Sequence, residues 1–496
     1  MNETIFMLAI DFIALIGIIA LLLIIALIIT AVVMYQIDKR QTVHTIRRNY
    51  PLLGRFRYLF ETLGEFFRQY FFAMDREEMP FNRAQRSWVY RAAKNIDNTV
   101  AFGSTRDLRR PGTYYFLNCP FPTLSEDGVT TQPMRIGPFC RFPYDAPSFF
   151  NISGMSFGAL SAPAVKALSM GAAQAGCWMN TGEGGLSKYH LTGGCDIVFQ
   201  IGTAKYGVRN EQGRLDDERL AKVAALEQVK MFEIKLSQGA KPGKGGMLPG
   251  EKVTAEIAEA RGIPVGQASI SPNRHPEIAN IKDLLDFIAH VREVTGKPVG
   301  FKLVLGTTDW LDAFCEAVLN RGSESAPDFI TLDSADGGTG AAPMPLMDSV
   351  GLPLRESLPL LVNKLVQHDL RGRVRVIASG KLINPSEVAA AICQGADFVV
   401  SARGFLFALG CVQALQCNKN TCPTGITTHN PRLHQGLVPE VKAVRVASFH
   451  RNLVHEVELI AHACGVAEPR QLTREHAAVV VDGSGSVPLN ILHPTT

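Results

Sequence analysis

Apolar residues run without a single charge from Phe12 to Tyr35, a stretch of 24 positions. At helical rise this is roughly 36 Å, enough to cross a hydrocarbon core of about 30 Å with some tilt, so the pattern predicts one transmembrane helix. A cleavable signal peptide is the competing reading. The run is too long for one, no Lys or Arg precedes it, and no small-x-small cleavage site follows. From Leu52 to Phe71 the pattern changes: Leu53, Phe56, Leu59, Phe60, Leu63, Phe66, Phe67 and Tyr70 recur at three and four, an amphipathic helix. Such a helix lies either in the membrane interface or on the globular body. Residues 75 to 145, punctuated by Pro80, Pro111, Pro120, Pro122 and Pro143, predict an irregular extension wrapping the main domain.

Beyond residue 146, short apolar runs alternate with helical periodicity. Strands are predicted at Phe149–Ile152, Cys177–Asn180, Met231–Ile234, Ala268–Ile270, Val299–Leu303, Asp328–Leu332, Val374–Ala378 and Asp397–Val400. Helices are predicted at Pro163–Ala175, Val253–Ala260, Ile281–Val294, Trp310–Asn320 and Pro385–Gln394. This alternation fits an α/β protein built as a (β/α)₈ TIM barrel, with a doubly wound sheet as runner-up. Residues 437 to 465 form a packing helix, and Ala478–Val481 a strand or extended tail. The expected organisation is an anchor over 1–37, a juxtamembrane helix and extension over 38–145, the barrel over 146–435 and a C-terminal helical segment and tail over 436–496.

Composition changes the picture only by exclusion. The 496 residues are 46% hydrophobic and 19% charged, with Lys+Arg 50 against Asp+Glu 46. That rules out an acidic disordered chain and a strongly basic nucleic-acid binder. Charge matters locally. Only Glu3 and Asp11 precede the apolar run, whereas Lys39, Arg40, Arg47, Arg48, Arg55 and Arg57 follow it. The positive-inside rule therefore predicts a single-pass protein of the inner (cytoplasmic) membrane, contacting lipid through residues 12–35, with its main domain in the cytosol.

The 44 glycines cluster in loops. ISGMSFGALS follows the first predicted strand, NTGEGG the second, KLSQGAKPGKGGMLPG the third, DSADGGTGAAP the sixth, ASGKL the seventh and SARGF the eighth. In a barrel these loops meet on the C-terminal face, where glycine lets backbone approach a planar or phosphorylated ligand. The last two assign Ser379, Gly380, Lys381, Arg403 and Gly404 to a phosphate. Lys302, between apolar residues of the fifth strand, is expected to point inward. It needs a ligand anion, a reduced cofactor ring or a strand-end salt bridge as counter-charge. His275 either orients substrate or is satisfied by local backbone. No G-x-G-x-x-G opens a strand-turn-helix unit, and GSGS at 483–486 lacks that context.

Ten cysteines in a cytosolic body argue against a disulfide framework, and seven of them are isolated packing residues. Cys411, Cys417 and Cys422 instead form C-x5-C-x4-C followed by Pro423. That spacing suits an iron–sulfur cluster. Zinc, with His429 or His434 as fourth ligand, is the alternative.

ISGMSFGALS (152–161), NTGEGG (180–185), QGAKPGKGGMLPGEKV (238–253), DGGTGAAP (336–343) and CNKNTCPTGI (417–426) closely resemble the FMN-binding synthase domain of glutamate synthases, in order and over about 145–435. The anchor and extension look like a stand-alone, membrane-attached branch of that family. The resemblance implies a barrel carrying FMN, with Gly154, Met155 and Ser156 among its contacts, and a [3Fe-4S] cluster on Cys411, Cys417 and Cys422. It implies reductive amination of 2-oxoglutarate with ammonia, electrons passing from a separate donor protein through the cluster to FMN. By motif position Glu183 lies where ammonia meets substrate, and Lys235, Gln238, Gly239 and Lys241 match positions contacting flavin and oxo acid. Arg261 matches a carboxylate-binding arginine, the bidentate choice for that group. Glu183, Lys241 and Lys302 are thus the expected catalytic residues, and Lys235, Gln238, Gly239 and Arg261 the substrate-binding ones.

Two departures qualify the resemblance. Where the family pattern has a substrate-binding Gln within GKGG-x-LPG, this chain has Met247. The length is also expected to leave no room for a glutaminase domain, so ammonia would come from solution or a partner. Three classes of function follow: the synthase-type oxidoreductase; the same cofactors with another substrate, such as N-methylglutamate-synthase-like amine transfer or electron exchange with a membrane pool; and a non-catalytic membrane scaffold. A homo-oligomer stays open under each.

Overall fold

The computed structural model describes residues 2–482 and 485–494; Gly483 and Ser484 of the GSGS segment lie outside them. The chain forms two compact units, one ending at Arg83 and the other starting at Ala84.

The first unit begins with the helix Asn2–Arg40, whose apolar side chains are exposed along its length. It is the one described helix long and apolar enough to cross a membrane, by length and composition. After the short helix Thr45–Asn49, the helix Leu53–Phe67 continues as a π-helical turn over Arg68–Phe72. At the corner between the first helix and Leu53–Phe67, the carboxylate of Asp38 is fully buried. It accepts from Arg47 Nη2 at 2.9 Å, Arg55 Nε at 2.7 Å and the Leu52 amide at 3.1 Å.

In the second unit eight parallel strands close into a barrel, in chain order β1 Phe150–Ile152, β2 Met179–Asn180, β3 Ile197–Ile201, β4 Val229–Lys235, β5 Val299–Leu303, β6 Phe329–Asp333, β7 Arg375–Ser379 and β8 Phe398–Ser401. The ring closes where Val399 of β8 pairs with Phe150 of β1. Every residue of β3, β5 and β6 is buried, as expected of strands covered on both faces. The crossover helices start and stop where local chemistry says they should. Ser161 caps Ala162–Ala175 by accepting from the Ala164 amide, and Gly176, at φ 68, ends it. Asn280 and Asn384 cap Ile281–Thr295 and Pro385–Cys393 in the same way.

One predicted strand is misplaced. Ser269–Ile270 is not a barrel strand; it pairs antiparallel with Met247–Leu248 in a two-stranded sheet outside the ring, the helix Ala255–Arg261 lying between them in the chain. The third barrel strand is Ile197–Ile201, so Met231–Ile234 falls in the fourth and KLSQGAKPGKGGMLPG follows β4. The omission has a local cause: between β2 and β3 the only α-helix is Lys188–Leu191, one turn, too short to give a helical period that would mark a crossover.

The extension and the C-terminal segment carry regular structure. Tyr114–Phe116 pairs with Ala477–Asp482, which in turn pairs with Gly485–Pro488. A hairpin of Met134–Ile136 and Tyr144–Ala146 packs Ile136, Tyr144 and Ala146 against Trp178, Met231, Phe329 and Phe398, closing the N-terminal end of the barrel. The helix Pro439–Ala463 packs along Ala162–Ala175.

Candidate functional site

The C-terminal ends of the strands surround a cavity of about 260 Å³. Its floor is built from strand side chains. Glu233 of β4, 3% exposed, accepts from Asn180 Nδ2 at 2.8 Å and Gln200 Nε2 at 2.6 Å on one oxygen, and from Thr331 Oγ1 at 2.5 Å on the other. Lys302 of β5 points inward and meets Asp333 Oδ2 at 3.1 Å. The protein itself thus supplies a counter-charge for Lys302. Burial works against the Lys302 ammonium, but Asp333 and Glu233 outweigh it and lift its pKa above the ordinary lysine value.

The walls come from the loops. Glu183 sits on the short turn Gly182–Gly184 after β2, with Lys235 Nζ 3.1 Å from its Oε2. Burial pushes the Glu183 carboxyl up, yet Lys235 and Lys241 prevail and hold it below the ordinary glutamate value. It is therefore a carboxylate at neutral pH. Lys235 also donates to Gln238 Oε1, whose amide nitrogen reaches Thr339 Oγ1 at 3.3 Å. Burial, with Lys235 next, pulls the Lys241 ammonium below the lysine range, and Lys241 makes no ion pair among the described residues.

Arg261 ends the helix Ala255–Arg261 and is 4% exposed. Its Nη1 donates to Ser269 Oγ at 2.9 Å, and its guanidinium lies 5.1 Å from the Tyr206 ring centroid. Its Nη2 donates to the Phe157 carbonyl at 3.4 Å, its buried Nε has no hydrogen-bond partner, and among the described residues no carboxylate is paired with it. A buried guanidinium that lines a cavity without a carboxylate of its own is suited to an incoming one. Glycine is required where these loops crowd: a Cβ on Gly245 would stand 1.9 Å from the Ser271 carbonyl oxygen, and one on Gly246 would displace the Glu183 carboxylate.

At another part of the rim, Ser379, Gly380, Lys381 and Arg403 line the cavity together with Ser401 and Ala402. Gly380 has φ 119, a conformation that L side chains avoid. Lys381 Nζ pairs with Asp336 Oδ2 at 2.8 Å, while Arg403 donates to the Thr339 carbonyl and approaches Cys417 Sγ at 3.7 Å. Gly154, Met155 and Ser156 line the side formed by the loop after β1, and Met247, 57% exposed, stands at the mouth.

The cavity wall thus brings together most of the residues singled out in the sequence. Gly239 and Gly404 stand behind it: Gly239 donates its amide to Asp333 Oδ2 at 2.9 Å, and the Gly404 amide reaches Ser401 Oγ at 3.3 Å. His275 bonds the Lys235 carbonyl at 3.1 Å, and burial pulls its pKa down to about 4. It serves backbone, not the cavity.

Of the three cysteines, Cys417 lines the cavity and Cys411 and Cys422 do not. Burial raises the Cys411 thiol, whereas hydrogen bonds from Thr424 and Thr427 overcome burial and lower that of Cys422. Among the described residues no three His, Cys, Asp or Glu side chains are grouped to hold a metal ion, and His429 is engaged with the Gly158 carbonyl at 2.8 Å. Lys252, which sequence reading passed over, ties this loop to the rest. Buried at 2% exposure, it donates to the carbonyls of Cys417 at 3.0 Å and Thr427 at 2.7 Å. Glu233 and Asp333 were also missed, although Glu233 carries the signal that exposed Lys302, a charge between apolar residues of a core strand.

The family described as the conserved region in glutamate synthase matches residues 142–467. The chain is 38% identical over 500 residues to the glutamate synthase large subunit-like protein YerD of Bacillus subtilis (strain 168), covering 93% of this chain and 94% of that one. It is 34% identical over 343 residues to the archaeal-type glutamate synthase (NADPH) of Thermotoga maritima, covering 69% of this chain but only 63% of that protein. Among solved structures, the flavin-binding domain of baker's yeast flavocytochrome b2 aligns with a TM-score of 0.45 and 14% identity over 82% of each chain.

Proposed function

The chain belongs to the glutamate synthase conserved-region family, and from that premise we propose that it is a membrane-anchored FMN and iron–sulfur oxidoreductase that reductively aminates 2-oxoglutarate to L-glutamate. The observation that carries this reading is the convergence of Glu183, Lys235, Lys241 and Arg261 on one cavity at the C-terminal end of the barrel. Arg261 and Lys241, buried and without ion pairs among the described residues, offer two fixed cations for a dianionic oxo acid. Glu183, kept ionised by its lysines, accepts N–H hydrogen bonds from ammonia, takes up a proton as ammonia adds to the carbonyl carbon, and returns it to the departing hydroxyl, so that water leaves and a C=N bond forms. Lys235 and Gln238 hold Glu183 and the Thr339 loop in register.

The donor-rich rim of Ser379, Gly380, Lys381 and Arg403 suits a flavin phosphate, with Gly154, Met155, Ser156 and Lys302 beside the rest of the molecule. When bound there, FMN supplies the hydride that reduces a C=N bond. Cys411, Cys417 and Cys422 would hold a [3Fe-4S] cluster, which would supply one-electron transfer from a separate donor protein, and His429 is engaged with the Gly158 carbonyl. Ammonia comes from solution or a partner, and the exposed apolar helix Asn2–Arg40 supports attachment to the inner membrane with the barrel in the cytosol.

The purified protein, reduced anaerobically with an artificial donor, is expected to form glutamate and reoxidise its flavin when given 2-oxoglutarate and ammonia together. Absence of both would overturn the reading. Met247 at the cavity mouth favours a second reading, the same cofactors acting on another oxo acid or amine. Flavin turnover restored only by a different substrate pair would select it.

A further inference from the structure

The first unit carries a feature that the barrel chemistry does not use. On the helix Leu53–Phe67 and its continuation to Phe72, Phe56, Phe60, Phe66, Phe71 and Phe72 are between 54% and 75% exposed. So wide an aromatic face is seldom left to water. We propose that this segment is an interfacial membrane-binding surface, and that its occupant is the anionic headgroup and upper acyl region of the leaflet in which the anchor helix ends. This rests on reading Asn2–Arg40 as a membrane anchor.

Two further observations select a bilayer over a protein partner. The first is the corner between the helices. Besides Arg47, Arg55 and the Leu52 amide on Asp38, Gln41 Nε2 bonds the carbonyls of Asp38 at 3.1 Å and His44 at 2.8 Å, and the His44 amide returns to Gln41 Oε1 at 2.7 Å. The His44 and Tyr58 rings meet at 4.8 Å, and Gly54 admits Ile46, whose carbonyl would lie 2.8 Å from a Cβ there. The aromatic helix is therefore held by a built corner beside the end of the anchor, which keeps its local concentration at the membrane surface high.

The second is charge. Residues 38–72 hold seven basic and three acidic side chains. Arg47 and Arg55 serve the corner, whereas Lys39, Arg40, Arg48 and Arg57 make no ion pair among the described residues and are exposed. Free cations next to exposed aromatic rings match an anionic lipid surface, with basic groups at the phosphates and rings at the headgroup boundary.

The test uses the full-length protein in nanodiscs of phosphatidylcholine with or without phosphatidylglycerol. In Phe60→Trp, the indole emission added over the unsubstituted protein should be lost when the lipids carry bromine high on their acyl chains, more completely in the anionic discs. Asp38→Asn should weaken that loss while the protein still resists extraction by alkaline carbonate. Retention in carbonate with an unquenched indole overturns the proposal and leaves the anchor standing. Release by carbonate overturns the anchor reading as well. Concentration-dependent crosslinking through this face, without quenching, assigns it to a second copy of the chain.

Discussion

The floor and the wall of the barrel cavity are both charged and both buried, yet they are finished differently. On the floor, both oxygens of Glu233 are hydrogen-bonded, and Lys302 has Asp333. On the wall, Arg261 keeps an unpartnered Nε, and neither it nor Lys241 has an ion pair among the described residues. A closed cluster holds strands together, whereas an open one leaves a desolvated cation waiting for an anion. Burial of charge alone does not separate these two regions; the way each charge is partnered does.

Three measurements would break or sharpen that contrast. The largest effect is expected on the wall. Arg261→Met keeps aliphatic volume and should retain bound flavin, but lower kcat/KM for the oxo acid by about a hundredfold or more, the order expected for losing one buried charge-assisted pair. Unchanged turnover would remove Arg261 from the substrate site. The floor should respond in the opposite currency. Glu233→Gln places an amide among the donors of Asn180, Gln200 and Thr331, and should cost about 1–3 kcal/mol in denaturant unfolding through an unsatisfied buried group. Unaltered stability would show the network to be less closed than it looks.

The smallest effect concerns pH. Lys241 is pulled below the ordinary lysine value of 10.5, so its charge, and with it attraction for a carboxylate, is lost as pH rises through that lowered pKa. The alkaline limb of kcat/KM should therefore begin earlier than for an ordinary lysine, and Lys241→Arg should move it upward. A limb that stays in place in Lys241→Arg would assign it to another group.

How much of this was legible in the sequence depended on the range of the interactions concerned. Caps and periodicity are local, so the helices at Ala162–Ala175, Ile281–Thr295 and Pro385–Cys393 lie within a residue or so of their predicted bounds. Ile197–Ile201 is hidden because its crossover has no long helix to announce it, and Ala268–Ile270 resembles it because a strand of a small two-stranded sheet and a barrel strand look alike over three residues. The glycine-rich loops pointed to the correct end of the barrel. Their reason is partly different from close approach to a ligand, since Gly246 makes room for Glu183 and Gly239 packs behind the wall. Lys252 and Asp333 were invisible because each acquires its meaning from a partner far along the chain, the Cys417 and Thr427 carbonyls for one and Lys302 for the other.

The hairpin of Met134–Ile136 and Tyr144–Ala146 packs across the N-terminal end of the barrel. It roofs the strand starts at Phe329 and Phe398, and Tyr144 meets Trp178 edge to face there, ring centroids 6.3 Å apart. Keeping that end of the core dry is thus the task of one face, which leaves the loops of the opposite face free of it.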